Sequence, residues 1–272
     1  MASAPFITPA ELAAIDPADL VLLDVRHAYP AGGQPGAYAE GHLPGARYVE
    51  LRAELAGPRS ASGARNPLPE PAAIEASLRG WGVVDGKRVV VYADADAPSA
   101  GRAWWVLTWA GVPDVRILAG GWQAWAASGR ELTTEAPPPA EPGDFVVRAG
   151  ALTDIGPDEA AALGAQGRLV DARGAEYFEL DPEDRATGHI PGAVSIPYDR
   201  LFAPDGSLLD PDSVRALFAD AGIDLSRPVG LYCGGGVAAA FEASVLAGLG
   251  VETALYVGSW SEWASDPVRP RA

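Results

Sequence analysis

Gly41-His-Leu-Pro-Gly-Ala46 recurs almost unchanged as Gly188-His-Ile-Pro-Gly-Ala193 in the second half of this 272-residue chain. Two further blocks recur with it in the same order. The three matched pairs are residues 22–26 and 169–173, residues 41–46 and 188–193, and residues 118–125 and 255–263. Blocks that repeat in one order at the spacing of a domain indicate a tandem duplication. The sequence therefore predicts two copies of one domain.

Each copy alternates short β-branched runs, such as Val89-Val-Val-Tyr92, with helical stretches, such as residues 158–163 and 215–219. This alternation is typical of the α/β class, in which helices cover both faces of a parallel sheet. The prolines between the copies favour an extended, stiff connector. The predicted division is an N-terminal domain over residues 1–135, a Pro-rich linker over residues 136–149 and a C-terminal domain over residues 150–272.

The composition is that of a globular protein with a formal net charge of −16. This charge argues against nucleic acid or anionic membranes as partners, and it means that an anionic substrate needs local hydrogen-bond donors. Residues 1–11 have neither a basic start nor a long apolar stretch, so we expect a cytoplasmic protein. A single cysteine allows no intramolecular disulfide, and a reducing compartment keeps a lone thiol reactive.

That cysteine, Cys233, follows the apolar run Val229-Gly-Leu-Tyr232 and precedes three glycines and a helical stretch. A strand that ends here would place the sulfur at the edge of a sheet, where a helix N-terminus also stabilises negative charge. The predicted anion-binding loop consists of Gly234, Gly235, Gly236, Val237 and Ala238. Its inward N–H groups would stabilise the thiolate, which is the nucleophilic form of cysteine. A buried, inert cysteine is the alternative, although three glycines pack a core poorly.

Ala93 occupies the place of Cys233 in the first copy. The first copy therefore has no nucleophile and cannot perform the same chemistry. We expect it to form one wall of a cleft over the loop of the second copy, since clefts between domains commonly hold ligands.

The blocks Leu22-Leu-Asp-Val-Arg26 and Leu169-Val-Asp-Ala-Arg173, with the Gly-His-(Leu/Ile)-Pro-Gly-Ala pair, resemble those of rhodanese domains, and residues 258–263 look like the family's carboxy-terminal signature. Together these blocks span nearly the whole chain. Two tandem rhodanese-like domains with the cysteine only in the second copy is the layout of the thiosulfate and 3-mercaptopyruvate sulfurtransferases. Residues 233–239 are closer to the 3-mercaptopyruvate type, whose loop reads Cys-Gly-Ser-Gly-Val-Thr-Ala.

The departures from the family pattern concern anion binding. Gly235 and Ala238 replace a serine and a threonine of the 3-mercaptopyruvate type, and Glu176 and Phe178 stand where the family often has arginines. An arginine there would bind a carboxylate or thiosulfate bidentately. By alignment with the family, the Asp and His that usually face the cleft from the first copy correspond to Glu50 and Asn66. The remaining cations for substrate capture are Arg185 and, second to it, Arg173, and Asn66 and Glu50 complete the predicted substrate-binding set.

His42 and His189 precede Pro-Gly in both copies, with and without a nucleophile, which favours a structural hydrogen bond over catalysis. The same symmetry suggests that Asp24/Arg26 and Asp171/Arg173 anchor strand ends. The scattered histidines offer no metal-binding spacing, and the glycines match no nucleotide-binding loop. The resemblance implies a reaction that needs no cofactor.

Three functions are weighed for the cysteine loop. The leading one is transfer of a sulfane sulfur from 3-mercaptopyruvate or thiosulfate, through a Cys233 persulfide, to cyanide or to a thiol such as thioredoxin. A phosphatase would need an arginine six residues after the cysteine, where Ala239 lies. A degenerate rhodanese module that acts as a sulfur carrier or binds a partner protein, with little turnover, is the alternative. A monomer or a weak oligomer is expected.

Overall fold

A computed structural model describes residues 5–28, 31–95 and 97–272 of the chain. Residues 1–4, at the amino end of the segment considered above, and Asp96 lie outside the described residues. The chain divides into two compact units. Of the described residues, those up to residue 56 and those within 69–151 belong to unit 1, and unit 2 contains residues 57–68 and 152–272. Residues 57–68, which belong to the first repeat by sequence, therefore form part of the unit that carries Cys233.

Unit 1 is built on a five-stranded, all-parallel sheet in the order β1-β7-β6-β2-β5. Its strands are β1 Phe6–Ile7, β2 Leu20–Asp24, β5 Arg47–Tyr48, β6 Arg88–Tyr92 and β7 Val115–Leu118, and a separate antiparallel pair is β3 His27–Ala28 with β4 Gly32–Gly33. Its helices are α1 Pro9–Ala13, α2 Pro35–Glu40, α3 Leu51–Glu54, α4 Pro71–Gly80, α5 Ser99–Trp109 and α6 Gly121–Ala127, with a 3-10 turn at Pro17–Asp19.

Unit 2 repeats this plan with a second five-stranded parallel sheet, in the order β10-β9-β11-β12-β8. Its strands are β8 Thr153–Asp154, β9 Leu169–Asp171, β10 Val194–Ser195, β11 Val229–Tyr232 and β12 Thr253–Leu255. Its helices are α7 Pro157–Ala165, α8 Pro211–Asp220, α9 Ala238–Gly248 and α10 Ser259–Trp263, with 3-10 turns at Ala175–Tyr177 and Tyr198–Leu201. Two parallel sheets flanked by helices confirm the predicted fold class.

The registers of the two sheets show that the units correspond residue by residue at the central strands, β6 and β11. Asp24 pairs with Tyr92 across β2 and β6, and Asp171 pairs with Tyr232 across β9 and β11. The residue after each of these tyrosines is Ala93 in unit 1 and Cys233 in unit 2. The predicted correspondence between an alanine and the cysteine is therefore confirmed.

The core of unit 2 lies directly beneath the end of β11. Tyr232, Tyr256, Trp260 and Trp263 are all at most 3% exposed and share one apolar cluster with Leu169. Close packing of large aromatic rings around a strand end restricts its movement. This packing holds the end of β11, and with it the backbone of Cys233, in place.

The residues predicted to link the domains, 136–149, have extended backbone without helix or strand. They belong to unit 1, where the amide of Gly143 donates to the carbonyl of Arg79 at 2.8 Å and Phe145 is buried. Among the helices of the described residues, none combines the length and the apolar character that a membrane crossing requires.

Candidate active site

Cys233 occupies the carboxyl end of β11, the middle strand of its sheet, immediately before the turn that leads into α9. Ligands of parallel sheets gather at this edge because the loops that follow the strands converge there. Cys233 is 3% exposed, so it is almost completely buried. The strand, turn and helix of the predicted nucleophile site are all present.

The sulfur accepts a hydrogen bond from the backbone of its own loop. The amide of Gly236 donates to Sγ of Cys233 at 3.1 Å. Gly236 has a φ of +74°, a value that a residue with a side chain rarely adopts, so this turn next to the sulfur favours glycine. A negative charge on the sulfur, as thiolate or persulfide, strengthens such a bond.

The carbonyl groups of the loop are held by other parts of unit 2. The carbonyl of Cys233 accepts from the amide of Trp260 at 2.9 Å, and that of Gly234 accepts from the amide of Ser261 at 3.1 Å. Arg65 also donates to the carbonyl of Gly234, from Nη2 at 2.9 Å. Asn66, only 7% exposed, donates from Nδ2 to the carbonyl of Gly235 at 2.8 Å.

The segment 57–68 that supplies Arg65 and Asn66 is itself tied to α10. The amide of Arg65 donates to Oγ of Ser261 at 3.1 Å, and the hydroxyl of Ser62 donates to the carboxylate of Glu262. Gly63 approaches Ser265 so closely that a Cβ at position 63 would lie 2.5 Å from the Cβ of Ser265. The segment is therefore a packed part of the site.

Ser259 supports the nucleophile from behind. The amide of Cys233 donates to its Oγ at 3.2 Å, and this hydroxyl donates to the carbonyl of Tyr256 at 2.8 Å. Ser259 has a φ of +53° and is the one residue other than glycine with positive φ in the described part of the chain. Gly121 holds the matching position in unit 1, with a φ of +56°. The backbone requires this conformation in both units, and the serine adds a hydrogen bond where the nucleophile is present.

Arg173 is engaged on every nitrogen of its guanidinium. It binds the carboxylate of Asp171 at 2.5–3.0 Å and the carbonyls of Ala186 and Gly188 at 3.0 and 2.5 Å. Its charge also lies 4.5 Å from the ring centre of Trp260. Burial alone would lower the pKa of Arg173, but the hydrogen bonds and charge of Asp171 outweigh it and raise the pKa. These contacts favour the anchoring role over substrate capture.

The two histidines of the Pro-Gly blocks make the structural contacts that symmetry suggested. Nδ1 of His42 lies 2.8 Å from the carbonyl oxygen of Tyr38. The imidazole ring of His42 stacks on the ring of Tyr38, with ring centres 3.8 Å apart. Nδ1 of His189 lies 3.0 Å from the carbonyl oxygen of Phe178. The imidazole ring of His189 stacks on the ring of Phe178, again with ring centres 3.8 Å apart. Phe178, at a position where the family often has arginine, thus supports His189.

The remaining predicted residues are placed as follows. Arg185 is exposed, and its carbonyl accepts from the indole N–H of Trp260 at 3.0 Å, which places its backbone beside α10. Glu176 is exposed and folds over Gly174. Glu50 belongs to unit 1, where it caps α3 through the amide of Arg52 at 3.3 Å. The structure brings Asn66, Cys233 and its loop together, with Arg185 on the segment that contacts α10.

Glu242, on the second turn of α9, is a buried carboxyl that the sequence analysis did not consider. It is 0% exposed, and neither of its carboxyl oxygens has a hydrogen-bond partner among the described residues. Burial raises the pKa of Glu242 well above its ordinary value, and the negative charges of Cys233 and Asp171 act in the same direction. Burial and these neighbouring charges therefore favour the protonated form of the Glu242 carboxyl.

The family model for the rhodanese-like domain matches the chain twice, over residues 8–128 and 156–266. The chain belongs to the rhodanese family. The two matches confirm the predicted tandem arrangement, with rhodanese domains that correspond to the repeats. In this rhodanese chain only the second domain has a cysteine, because the first has Ala93 after its central strand.

Relatives of this rhodanese chain include a Mycobacterium tuberculosis protein named "Putative thiosulfate sulfurtransferase SseB", 42% identical over 97% of this chain and 95% of the relative. The 3-mercaptopyruvate sulfurtransferase of Escherichia coli is 32% identical over 94% of each chain. The crystal structure of the Escherichia coli enzyme SseA, described as a 3-mercaptopyruvate sulfotransferase, superposes with a TM-score of 0.82 at 30% identity over 95% of this chain and 99% of that chain. The predicted enzyme class, a sulfurtransferase, is confirmed.

Arg65, Ser259 and Glu242 are the site residues that the sequence analysis missed. Arg65 is adjacent to Asn66, which the family alignment had selected, so a charged neighbour was visible. Ser259 aligns with Gly121 in the repeat, and a serine opposite a glycine was a signal that its conformation is unusual. Glu242 lies between the apolar run Ala238-Ala-Ala-Phe241 and Ala243. An acidic residue within such an apolar helical stretch was the signal of a buried carboxyl.

Proposed function

We propose that this rhodanese chain moves a sulfane sulfur from 3-mercaptopyruvate or thiosulfate to cyanide or a thiol acceptor, through a persulfide on Cys233. The observation that carries the proposal is the hydrogen bond from the Gly236 amide to Sγ of Cys233, at the end of β11 and before the N-terminus of α9. A backbone donor and a helix N-terminus at one sulfur favour its anionic forms.

The first half-reaction forms the persulfide. The Cys233 thiolate attacks the sulfur of 3-mercaptopyruvate, a new S–S bond forms, and the C–S bond breaks. Its electron pair leaves on carbon as the enolate of pyruvate, which takes up the proton of the donor thiol. With thiosulfate, attack on the outer sulfur breaks the S–S bond and releases sulfite with the electron pair. In both cases one sulfur atom remains on Cys233.

The second half-reaction restores the thiolate. Cyanide or a thiolate acceptor, such as that of reduced thioredoxin, attacks the outer sulfur, and the electron pair of the breaking S–S bond returns to Cys233. The product is thiocyanate or the persulfide of the acceptor. Because one product leaves before the acceptor reacts, the kinetics are ping-pong. We place this reaction in the cytoplasm, where a reducing environment keeps the lone thiol free.

We assign Arg185 to capture of the donor's anionic group. Arg173 is committed to Asp171 and two carbonyls, whereas Arg185 is exposed and lies on the segment that contacts α10. A local cation is needed because the net charge of −16 opposes the approach of an anion. The loop sequence favours 3-mercaptopyruvate as donor, and the names of the relatives include both donors.

The test is the intact mass of the reduced protein after separate incubation with 3-mercaptopyruvate and with thiosulfate. A gain of one sulfur atom that cyanide reverses, and that Cys233→Ser does not show, supports the persulfide. The donor that reacts faster is the assigned substrate. No gain with either donor contradicts the proposal.

The burial of Cys233, at 3% exposed, favours a second candidate function. In a sulfur carrier with little turnover, an enclosed cysteine would accept one sulfur and release it only to a specific partner protein. Turnover with excess donor and cyanide separates the two functions. Many cycles of thiocyanate formation per protein support the enzyme, and a single cycle supports the carrier.

A further inference from the structure

Three successive carbonyl groups of the Cys233 loop are fixed by hydrogen bonds to α10 and to the segment 57–68. Trp260 and Ser261 supply backbone amides to the carbonyls of Cys233 and Gly234. The side chains of Arg65 and Asn66 hold the carbonyls of Gly234 and Gly235, at 2.9 and 2.8 Å. We call these four donors the outer frame of the loop.

A trans peptide group points its carbonyl and its N–H in opposite directions. The carbonyl of Gly235 and the amide of Gly236 belong to the same peptide group. Asn66 binds this group on its carbonyl side, and Sγ of Cys233 accepts its N–H at 3.1 Å. The orientation of the donor to the sulfur is therefore set from the opposite end of one rigid plane.

We propose that Arg65 and Asn66 are positioning residues that hold the Cys233 loop in its anion-binding form by fixing the carbonyls of Gly234 and Gly235. The inference rests on the proposed function, because the anions concerned are the thiolate and the persulfide of Cys233. Three consecutive glycines have more backbone freedom than any other sequence, so their peptide groups need external bonds to keep one orientation. The guanidinium charge of Arg65 also polarises the peptide group that it binds.

The same contacts explain why the loop contains glycines at both positions. A Cβ at position 234 would lie 3.0 Å from Nη2 of Arg65, and one at position 235 would lie 3.1 Å from Nδ2 of Asn66. Both distances are shorter than ordinary van der Waals contact, so a side chain would displace the donor. Gly235, which replaces the serine of the 3-mercaptopyruvate type, thus exchanges a loop hydroxyl for close contact with Asn66.

The experiment measures the thiolate of Cys233 directly, by its ultraviolet absorbance as a function of pH, with Cys233→Ser subtracted as background. The chain has one cysteine, so the signal belongs to one group. The variants are Arg65→Met, Arg65→Lys and Asn66→Ala. Arg59→Met is the matched control, because Arg59 is an exposed arginine of the same segment with no described contact to the loop.

Arg65→Met and Asn66→Ala should each lower the thiolate fraction about fivefold at a pH below the midpoint, which corresponds to the loss of one hydrogen bond. Arg65→Lys should recover part of the loss because it keeps a charged donor. Arg59→Met should change the fraction by less than about twofold, since an exposed charge is screened. Arg65 is itself exposed, so its variants keep the test valid if Asn66→Ala does not fold.

A midpoint that does not move in Arg65→Met and Asn66→Ala overturns the inference. If Arg65→Met instead raises KM for the sulfur donor at an unchanged midpoint, Arg65 binds substrate and does not position the loop. The thiolate titration uses no donor and no acceptor. A failure of the proposed function, seen as no gain in mass, is therefore distinguishable from a failure of the positioning role.

Discussion

Replacement of Glu242 by glutamine should make the folded protein more stable, relative to the unmodified chain, as the pH rises. Glu242 is completely buried, its oxygens have no partner among the described residues, and burial raises the pKa of its carboxyl well above the ordinary value. In the unfolded chain the same carboxyl has an ordinary pKa and loses its proton above about pH 4.3. Between these two pKa values the folded state binds more protons than the unfolded state.

The size of the effect follows from this difference of one proton. Within the window, the free energy of unfolding of the unmodified chain decreases by about 1.4 kcal/mol per pH unit because of Glu242, or about 3 kcal/mol over two units. The sign is negative because stability falls with pH wherever the folded state holds the additional proton. Glu242→Gln cannot ionise and lacks this contribution. The neutral amide of the glutamine is buried in the same surroundings at every pH. Any free-energy cost of burying it is therefore constant and does not change the slope of the free energy of unfolding against pH.

The assay is denaturant unfolding of both proteins in half-unit steps from about pH 5 to about pH 8. The quantity of interest is the difference in free energy of unfolding, plotted against pH. Glu252→Gln, at an exposed glutamate immediately before β12, is the control and should run parallel to the unmodified chain. Parallel curves for Glu242→Gln as well would show that Glu242 is ionised in the folded protein, and the reasoning would be refuted.

Three further outcomes are expected. Asp171→Ala should lower the free energy of unfolding by about 3–5 kcal/mol in denaturant unfolding, because it leaves the buried charge of Arg173 unpaired. A loss below about 1 kcal/mol would contradict the anchoring role. Ser259→Ala should be less stable than Ser259→Gly by about 1 kcal/mol in thermal unfolding. Both variants lose the hydrogen bond to Cys233, but only glycine adopts a φ of +53° without backbone strain. The opposite order of stability would argue against that backbone conformation. Arg185→Ala should raise KM for the sulfur donor about tenfold without a change in thermal stability, and an unaltered KM would remove Arg185 from substrate capture.

The parts of the fold that local patterns determine could be predicted from the sequence. The repeated blocks, the apolar run before Cys233 and the glycines after it lie within short stretches, so periodicity and turn chemistry identify β11, the loop and α9. The repeat also identified Ala93 as the counterpart of Cys233. Each of these inferences uses neighbours in the chain or one copy as a guide to the other.

The outer frame could not be predicted in the same way. Arg65 and Gly234 are 169 residues apart in the sequence, and no periodic pattern encodes such a contact. The assignment of Arg173 shows a related limit, because sequence alone left both anchoring and substrate capture open. The distances of its guanidinium to Asp171, Ala186 and Gly188 favour the anchoring role. Contacts between distant segments depend on how the whole unit packs, and propensity carries no information about them.

The placement of residues 57–68 has a consequence for how the chain can be divided. The first repeat has no nucleophile, yet a fragment that began at residue 150 would carry Cys233 without Arg65 or Asn66. In such a fragment the backbone amides of Trp260 and Ser261 would be the remaining outer-frame donors to the loop carbonyls. A cut at the boundary of the repeat therefore differs from a cut at the boundary of the compact unit.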